Sequence, residues 1–359
     1  MRDWVFAAGV LIILIVLWDA FETTVLPRRV SRRFRLTSIF YRTTWSPFRA
    51  IACGIGPGNP RENFLSVFGP LSLLLLLATW ALSLILGFAL LHWGLGSRLV
   101  IPAGIRGFRA DLYLSGTTFF TLGLGDVAPA SGGGRVLTVI EGGMGFGFLA
   151  LVIGYLPVLS QAFSRREATI ALLDARAGSP PTAAELLRRH GYTEGGEALS
   201  ALFQEWERWS AELLESHVSF PVLAYYRSQH DNQSWVAALT TILDVCSLIV
   251  AGVEAAPARD ARLAFAMARH AVVDLARVFN RTPLPPQPDR LPQSELARLK
   301  QTLAAAGMPL KQDAGVDQHL EHLRRMYEPY VNALGEFLLM PLPAWVPPAG
   351  AKDNWQTTQ

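Results

Sequence analysis

The chain has 359 residues, 51% of them hydrophobic and 17% charged, with a formal net charge of +3. Soluble domains of this size carry more charge, so the composition points away from an ordinary soluble protein, and so small a net charge gives nucleic-acid binding no support. The two cysteines, Cys53 and Cys246, lie far apart, which excludes a disulfide framework and a cysteine metal site.

The apolar excess is concentrated in the first 163 residues. Trp4 to Leu26 opens with WVFAAGVLIILIVLW and continues through Asp19 and Glu22. About 20 apolar residues cross a bilayer as a helix, and this segment reaches that length with its acids at the headgroup end. Asp19 and Glu22 are expected to pair with nearby arginines there. A cleaved signal peptide is the competing reading. It lacks a small-residue cleavage site, and Pro27-Arg28-Arg29 follows.

Arg28, Arg29, Arg32, Arg33, Arg35, Arg42 and Arg49 come next, with no acid among them and with Phe34, Phe40, Tyr41, Trp45 and Phe48 interspersed. Such a pattern suits a helix lying in the membrane interface, where anionic lipids attract arginine. The same residues also serve topology alone, because a basic loop of this kind stays cytoplasmic. Both readings stand at this point. Regularly spaced arginines in an apolar helix, as a voltage sensor needs, are missing.

Phe64 to Leu91 is charge-free and forms the second expected crossing. The third lies within Gly134 to Phe163 and ends at Ser164-Arg165-Arg166-Glu167. With both arginine clusters inside, the N-terminus faces out and the C-terminal half is cytoplasmic, in an inner or plasma membrane. The expected class is an all-α membrane protein with three crossings, a re-entrant segment between the second and third, and a helical cytoplasmic domain. The divisions are 1–27, 28–63, 64–163, 164–340 and a proline-rich tail, 341–359.

Between crossings two and three stands TTFFTLGLGDVAP, Thr117 to Pro129. Asp111 is expected to cap a short helix over 112–120. Glycine takes positive φ at little cost. If Gly123 and Gly125 do so and their neighbours do not, successive carbonyls turn to one side. Four such strands make rings of oxygens that replace the hydration water of a cation. Without them, a buried charge is very costly. Irregular backbone at membrane depth is tolerated where it lines a wet path within protein.

TTFFTLGLGD resembles the Thr-x-Gly-x-Gly-Asp signature of the potassium-channel pore family, with a threonine-rich pore helix before it. The resemblance covers about 64–166: outer helix 64–91, pore helix 111–120, filter 121–126 and inner helix 134–163. It implies that Thr121, Leu122, Gly123, Leu124 and Gly125 supply ion-lining carbonyls, that Thr121 adds its hydroxyl, and that Asp126 caps the filter from behind. Potassium is the implied permeant ion, and no cofactor is implied. Gly145 falls at the family's hinge position, ten residues past Arg135. Leu122 and Leu124 replace the usual valine and tyrosine, and leucine lacks the hydroxyl that holds tyrosine laterally. One pore segment per chain implies a homotetramer.

The inner helix carries Gly142, Gly143, Gly145, Gly147, Gly154 and Pro157. Gly145 is either the gating hinge or a packing residue, and Pro157 should kink the helix near its inner end. Glu141 is the lone acid of this helix. It lines the cavity, bonds behind the filter, or makes a buried contact to the pore helix.

Past Glu167 the pattern is helical. Thr182 to Glu185 reads as a capping box, with Gly191 as the stop. Further helices are expected at 196–216, 234–254, 260–279, 293–306 and 316–338. Asp244 and the modest length of 235–252 favour a buried bundle helix over a fourth crossing. His319 and His322 lack further ligands and read as a solvated face, and Ser228 to Gln233 reads as a capped loop rather than a ligand contact. A nucleotide-binding glycine turn is missing, so a regulatory ligand of this domain has no identified chemistry. A weakly selective cation channel and a membrane-anchored scaffold with a dead pore are the competing functions. No nucleophile–base set suggests an enzyme.

Overall fold

The computed structural model describes residues 2–24, 35–101, 107–191, 195–230, 232–254, 256–348 and 350. Arg28, Arg29, Arg32 and Arg33, expected at the lipid interface, lie outside them, as do Asp231 and the end of the tail. Among the described residues the chain is helical apart from one short ribbon. Its contacts divide it into two units, Met1–Gln161 and Ala162–Gln359.

The first unit contains α1 (Arg2–Thr24), α2 (Leu36–Gly54), α3 (Asn59–Leu95), β1 (Leu99–Val100), α4 (Phe108–Phe119) and β2 (Ala128–Pro129). α5 (Gly132–Ala177) begins in it, and the unit boundary falls inside that helix. α1, α3 and α5 are long and apolar enough to cross a membrane. α3 and α5 both outrun their expected bounds. Arg165, Arg166 and Glu167 end the apolar run of α5, but nothing there breaks a helix, and the first breaker is Gly178 with Pro180 and Pro181 behind it. At 1.5 Å per residue α5 is about 70 Å long, over twice the ~30 Å hydrocarbon core. α5 remains helical through Pro157.

Among the described residues Asp19 pairs with no arginine. Buried in α1, it accepts hydrogen bonds from the Thr37 amide (3.1 Å), the Thr37 hydroxyl (2.6 Å) and Trp80 Nε1 (3.0 Å). Its carboxylate thus satisfies a free amide in the first turn of α2, where Arg35 offers no side-chain cap, and joins three helices. Glu22 does meet Arg35, at 3.5 Å. The aromatic face of α2 is largely taken up by protein: Trp45 and Phe48 both pack on Phe68 of α3, and Phe48 stacks on Phe64 at 4.2 Å.

The second unit contains α6 (Ala183–His190), α7 (Gly195–Ser219), α8 (Trp235–Ala251), α9 (Ala258–Val278), α10 (Gln293–Ala305), α11 (Ala314–Arg325) and α12 (Glu328–Leu338), with a 3-10 turn over Pro221–Tyr225. α8 is its centre: every residue but Val250 is buried. Asp244, in the middle of α8, receives Arg290 through two bonds (2.6 and 3.2 Å) and the Tyr327 hydroxyl. Arg290 also reaches Glu328 at 3.0 Å and the Pro343 carbonyl at 2.9 Å. Burial opposes the Arg290 charge, yet Asp244 and Glu328 outweigh it and hold its pKa above the usual range. A bundle helix around a paired acid answers the fourth-crossing question.

Two expectations fail here. The helix expected over 316–338 is two helices, because Pro329 in the first turn of α12 has no amide to continue a helix. The capping box is half formed: Thr182 accepts from the Glu185 amide (3.3 Å), but the Glu185 carboxylate turns to Arg188 and Arg189. Those arginines draw the carboxylate below its usual pKa, against the effect of burial.

Candidate functional site

α4 points the sequence at a turn that it also anchors. The helix starts at Phe108 with Gly107 as N-cap, so Asp111 is a buried first-turn residue rather than the cap. At the other end, helix carbonyls that would lack partners accept from the following backbone. The Thr121 amide donates to Thr118 O (2.9 Å), and the Leu122 amide to Thr117 O (2.8 Å).

The backbone of this turn alternates. φ is positive at Thr121 (55°), Gly123 (56°) and Gly125 (77°), whereas Leu122 and Leu124 are outside that region. This is the alternation anticipated for the two glycines, extended one step to Thr121, which sequence reasoning missed. A Cβ on Gly123 would meet nothing within 4 Å, so the demand for glycine there is conformational and not spatial. Leu122 and Leu124 are 61% and 62% exposed in the single chain.

Asp126 accepts from Tyr113 Oη of α4 at 2.9 Å and from the Val127 amide at 3.0 Å. Tyr113 had no assigned role in the sequence; its place on the helix that leads into the turn, eight residues before Thr121, is the signal that could have found it. Past the turn, β2 pairs antiparallel with β1, Leu99 opposite Pro129 and Val100 opposite Ala128, and Ala130 donates to Arg98 O at 2.7 Å. The ribbon ties the segment after Asp126 to the end of α3. Two-residue strands leave no periodic trace, so the sequence concealed it.

On α5, Glu141 is fully buried. It contacts Ser115 of α4, and its Oε2 lies 3.7 Å from His92 Nε2 of α3. Of the readings open for it, the contact to α4 is the observed one. Gly145, one turn further on, faces the end of α4 so closely that a Cβ would sit 2.0 Å from Phe119 O. Around Gly147 and Gly154 a Cβ would meet nothing within 4 Å.

In the second unit Arg166 is no free flanking charge. Its guanidinium donates to Leu223 O (2.8 Å), Tyr226 O (2.9 Å) and His217 Nε2 (3.2 Å), and it pairs with Glu167 at 2.9 Å. His217 Nδ1 lies 2.8 Å from Leu213 O, which fixes a neutral ring with the proton on Nδ1. Burial, then the Arg166 charge, pushes the His217 pKa well below 6.5. His319 and His322 are exposed, and among the described residues no group of side chains could hold a metal. The 228–233 run leads into Ser234, which caps α8 by accepting from the Ala237 amide (3.0 Å).

Residues 100–159 match the family model described as an ion channel. Over 263 residues the chain is 26% identical to the uncharacterized membrane protein YdjJ of Bacillus subtilis (strain 168), covering 69% of this chain and 75% of that protein. So wide a match reaches beyond the first unit. No solved structure matches. Residues 100–159, around the Thr117–Pro129 turn, are therefore similar to an ion-channel pore domain, carried by an all-α membrane protein.

Proposed function

We propose that the chain is one subunit of a homotetrameric, potassium-permeable channel that conducts passively through carbonyl rings of Thr121, Leu122, Gly123, Leu124 and Gly125. The observation that carries this reading is the φ alternation at Thr121, Gly123 and Gly125, the backbone form that turns successive carbonyls toward one line. Asp126, held by Tyr113, braces the outer end. The N-terminus lies outside the cell membrane and the second unit in the cytoplasm, because the arginine-rich 28–49 and Arg165–Arg166 flank the inner side. Arg35 and its neighbours favour anionic lipid. Bending at Gly145 or Pro157 gates the pore.

The tetramer draws support from α5. Its most apolar 18-residue window is 11% buried, against 56% for α3. Val139, Phe146 and Ile153 repeat every seven residues and are 75%, 68% and 63% exposed. A stripe at that spacing suits packing against another helix, and four copies about one axis cover it while bringing four turns together.

Rubidium uptake into liposomes tests conduction. Uptake is expected for the parent, and loss is expected for Gly123→Ala, which forces an alanine to φ 56°, and for Thr121→Ala. Uptake that is absent, or untouched by Gly123→Ala, contradicts the proposal. A weakly selective cation channel is the second reading, favoured by Leu124, whose side chain cannot tether the turn by a hydrogen bond. The reversal-potential shift on replacing potassium with sodium separates the two: a large shift marks potassium selectivity, a small one the weak filter.

A further inference from the structure

Three fully buried side chains from three helices meet behind α4: His92 of α3, Ser115 of α4 and Glu141 of α5. Ser115 Oγ stands 2.7 Å from the Ile85 carbonyl oxygen and also in hydrogen-bond contact with Glu141 Oε1. Oxygens approach this closely only with a hydrogen between them. A carbonyl and a carboxylate are both acceptors, and a serine hydroxyl has a single hydrogen. One hydrogen shared between two acceptors makes two long, bent bonds, whereas both contacts here are short; two full bonds need two hydrogens, and Ser115 supplies one.

We propose that Glu141 supplies the other: its carboxyl group is in the acid form, donating from Oε1 to Ser115 Oγ while Ser115 donates to Ile85 O. Glu141 thereby acts as a positioning residue that clasps α4 to α5 and, through Ser115, to α3. The proposal rests on the channel reading and adds the device that holds the filter's supporting helix in place.

The surroundings agree with a neutral clasp. The groups that face Glu141 are Ser115 on α4 and His92 on α3, and among the described residues no lysine or arginine pairs with it. Asp111, buried on α4, lies close enough to His92 for their charges to interact. Neither ring nitrogen of His92 makes a hydrogen bond among the described residues, so a histidinium there would bury two unsatisfied N–H groups. An ionised Glu141 beside a neutral His92 would be a buried charge without a counter-ion. The acid form beside a neutral His92 leaves no buried charge here and turns Oε2 toward His92. Gly145 lies one turn along the same face of α5, against Phe119 O. Both points of α5 therefore bear on α4, whose Thr117 and Thr118 carbonyls hold the amides of the turn.

The test uses the full-length protein in lipid, parent against Glu141→Gln, Glu141→Ala and Ser115→Ala. Infrared difference spectra at neutral pH are expected to show a protonated-carboxyl C=O band that Glu141→Gln removes. Glutamine keeps a donor on the Oε1 side and a carbonyl, so rubidium flux is expected within about twofold of the parent, while the two alanine variants fall roughly tenfold. A difference spectrum with carboxylate bands alone overturns the proposal. So does a Glu141→Gln flux as low as that of Glu141→Ala. If the parent itself conducts no rubidium, the channel reading fails separately, and the infrared band still decides where the proton is.

Discussion

α8 and the membrane stretch of α5 are both apolar helices, yet the chain treats them oppositely. α8 is wrapped on all sides by its own unit, and its central acid is matched by Arg290 and Tyr327. α5 leaves Val139, Phe146 and Ile153 uncovered, and among the described residues no arginine or lysine pairs with its acid. Apolarity alone says that a helix avoids water. What it meets instead is told by length and by how its polar groups are satisfied. Seventeen residues with a salt-bridged aspartate belong inside a protein, whereas a helix of forty-six residues with bare apolar stripes needs lipid or other helices.

Breaking the match inside α8 should give the largest effect. Asp244→Ala leaves the buried Arg290 charge with Glu328 alone of its two acids, takes the acceptor from the Tyr327 hydroxyl, and is expected to cost about 3 kcal/mol, read as a lowered unfolding temperature of the second unit in full-length protein. The comparison is sharpened by two leucines. Leu243→Ala, at 0% exposure in α8, should cost about 2–5 kcal/mol of stability. Leu149→Ala, 53% exposed on α5, should leave unfolding nearly unchanged and instead weaken assembly, measured by native mass spectrometry in mild detergent. If Leu149→Ala matches Leu243→Ala in unfolding and leaves assembly intact, the contrast between the helices is lost.

Two glycines on α5 separate room from freedom. Gly145→Ala must push α5 and α4 apart and is expected to cost about 1–3 kcal/mol with altered flux. Gly154→Ala meets nothing within 4 Å and should be close to neutral in unfolding. Parent-like unfolding and flux in Gly145→Ala would remove both the packing and the hinge roles.

The smallest effect concerns pH. The folded state depresses the His217 pKa, so below 6.5 the unfolded chain binds the extra proton. This contribution to stability is complete above 6.5 and falls as pH drops, by about 1.4 kcal/mol per unit at most. His217→Gln, which keeps an acceptor for Arg166, should flatten that slope in denaturant titrations between neutral and mildly acid pH. An unchanged slope would move the proton elsewhere.

The sequence made the long elements legible because their signals are periodic or continuous: three apolar helices, the capped α6, and α8 with Asp244 at its centre. It made the Thr121–Asp126 turn legible because glycine spacing speaks directly to backbone φ. What it concealed depends on pairings across distant segments. Asp19 found Thr37 and Trp80, Arg166 found the carbonyls of Leu223 and Tyr226, and Tyr113 found Asp126. None of these has a local pattern. Pro329 was legible in principle, since an early-turn proline starts a helix as readily as it breaks one.

A density map of the full-length protein in lipid nanodiscs tests the central claim most directly. The account predicts fourfold symmetry, with the apolar stripes of α5 turned inward and four Thr121–Gly125 segments meeting on one axis. Segments held apart, with no shared passage between them, would contradict it.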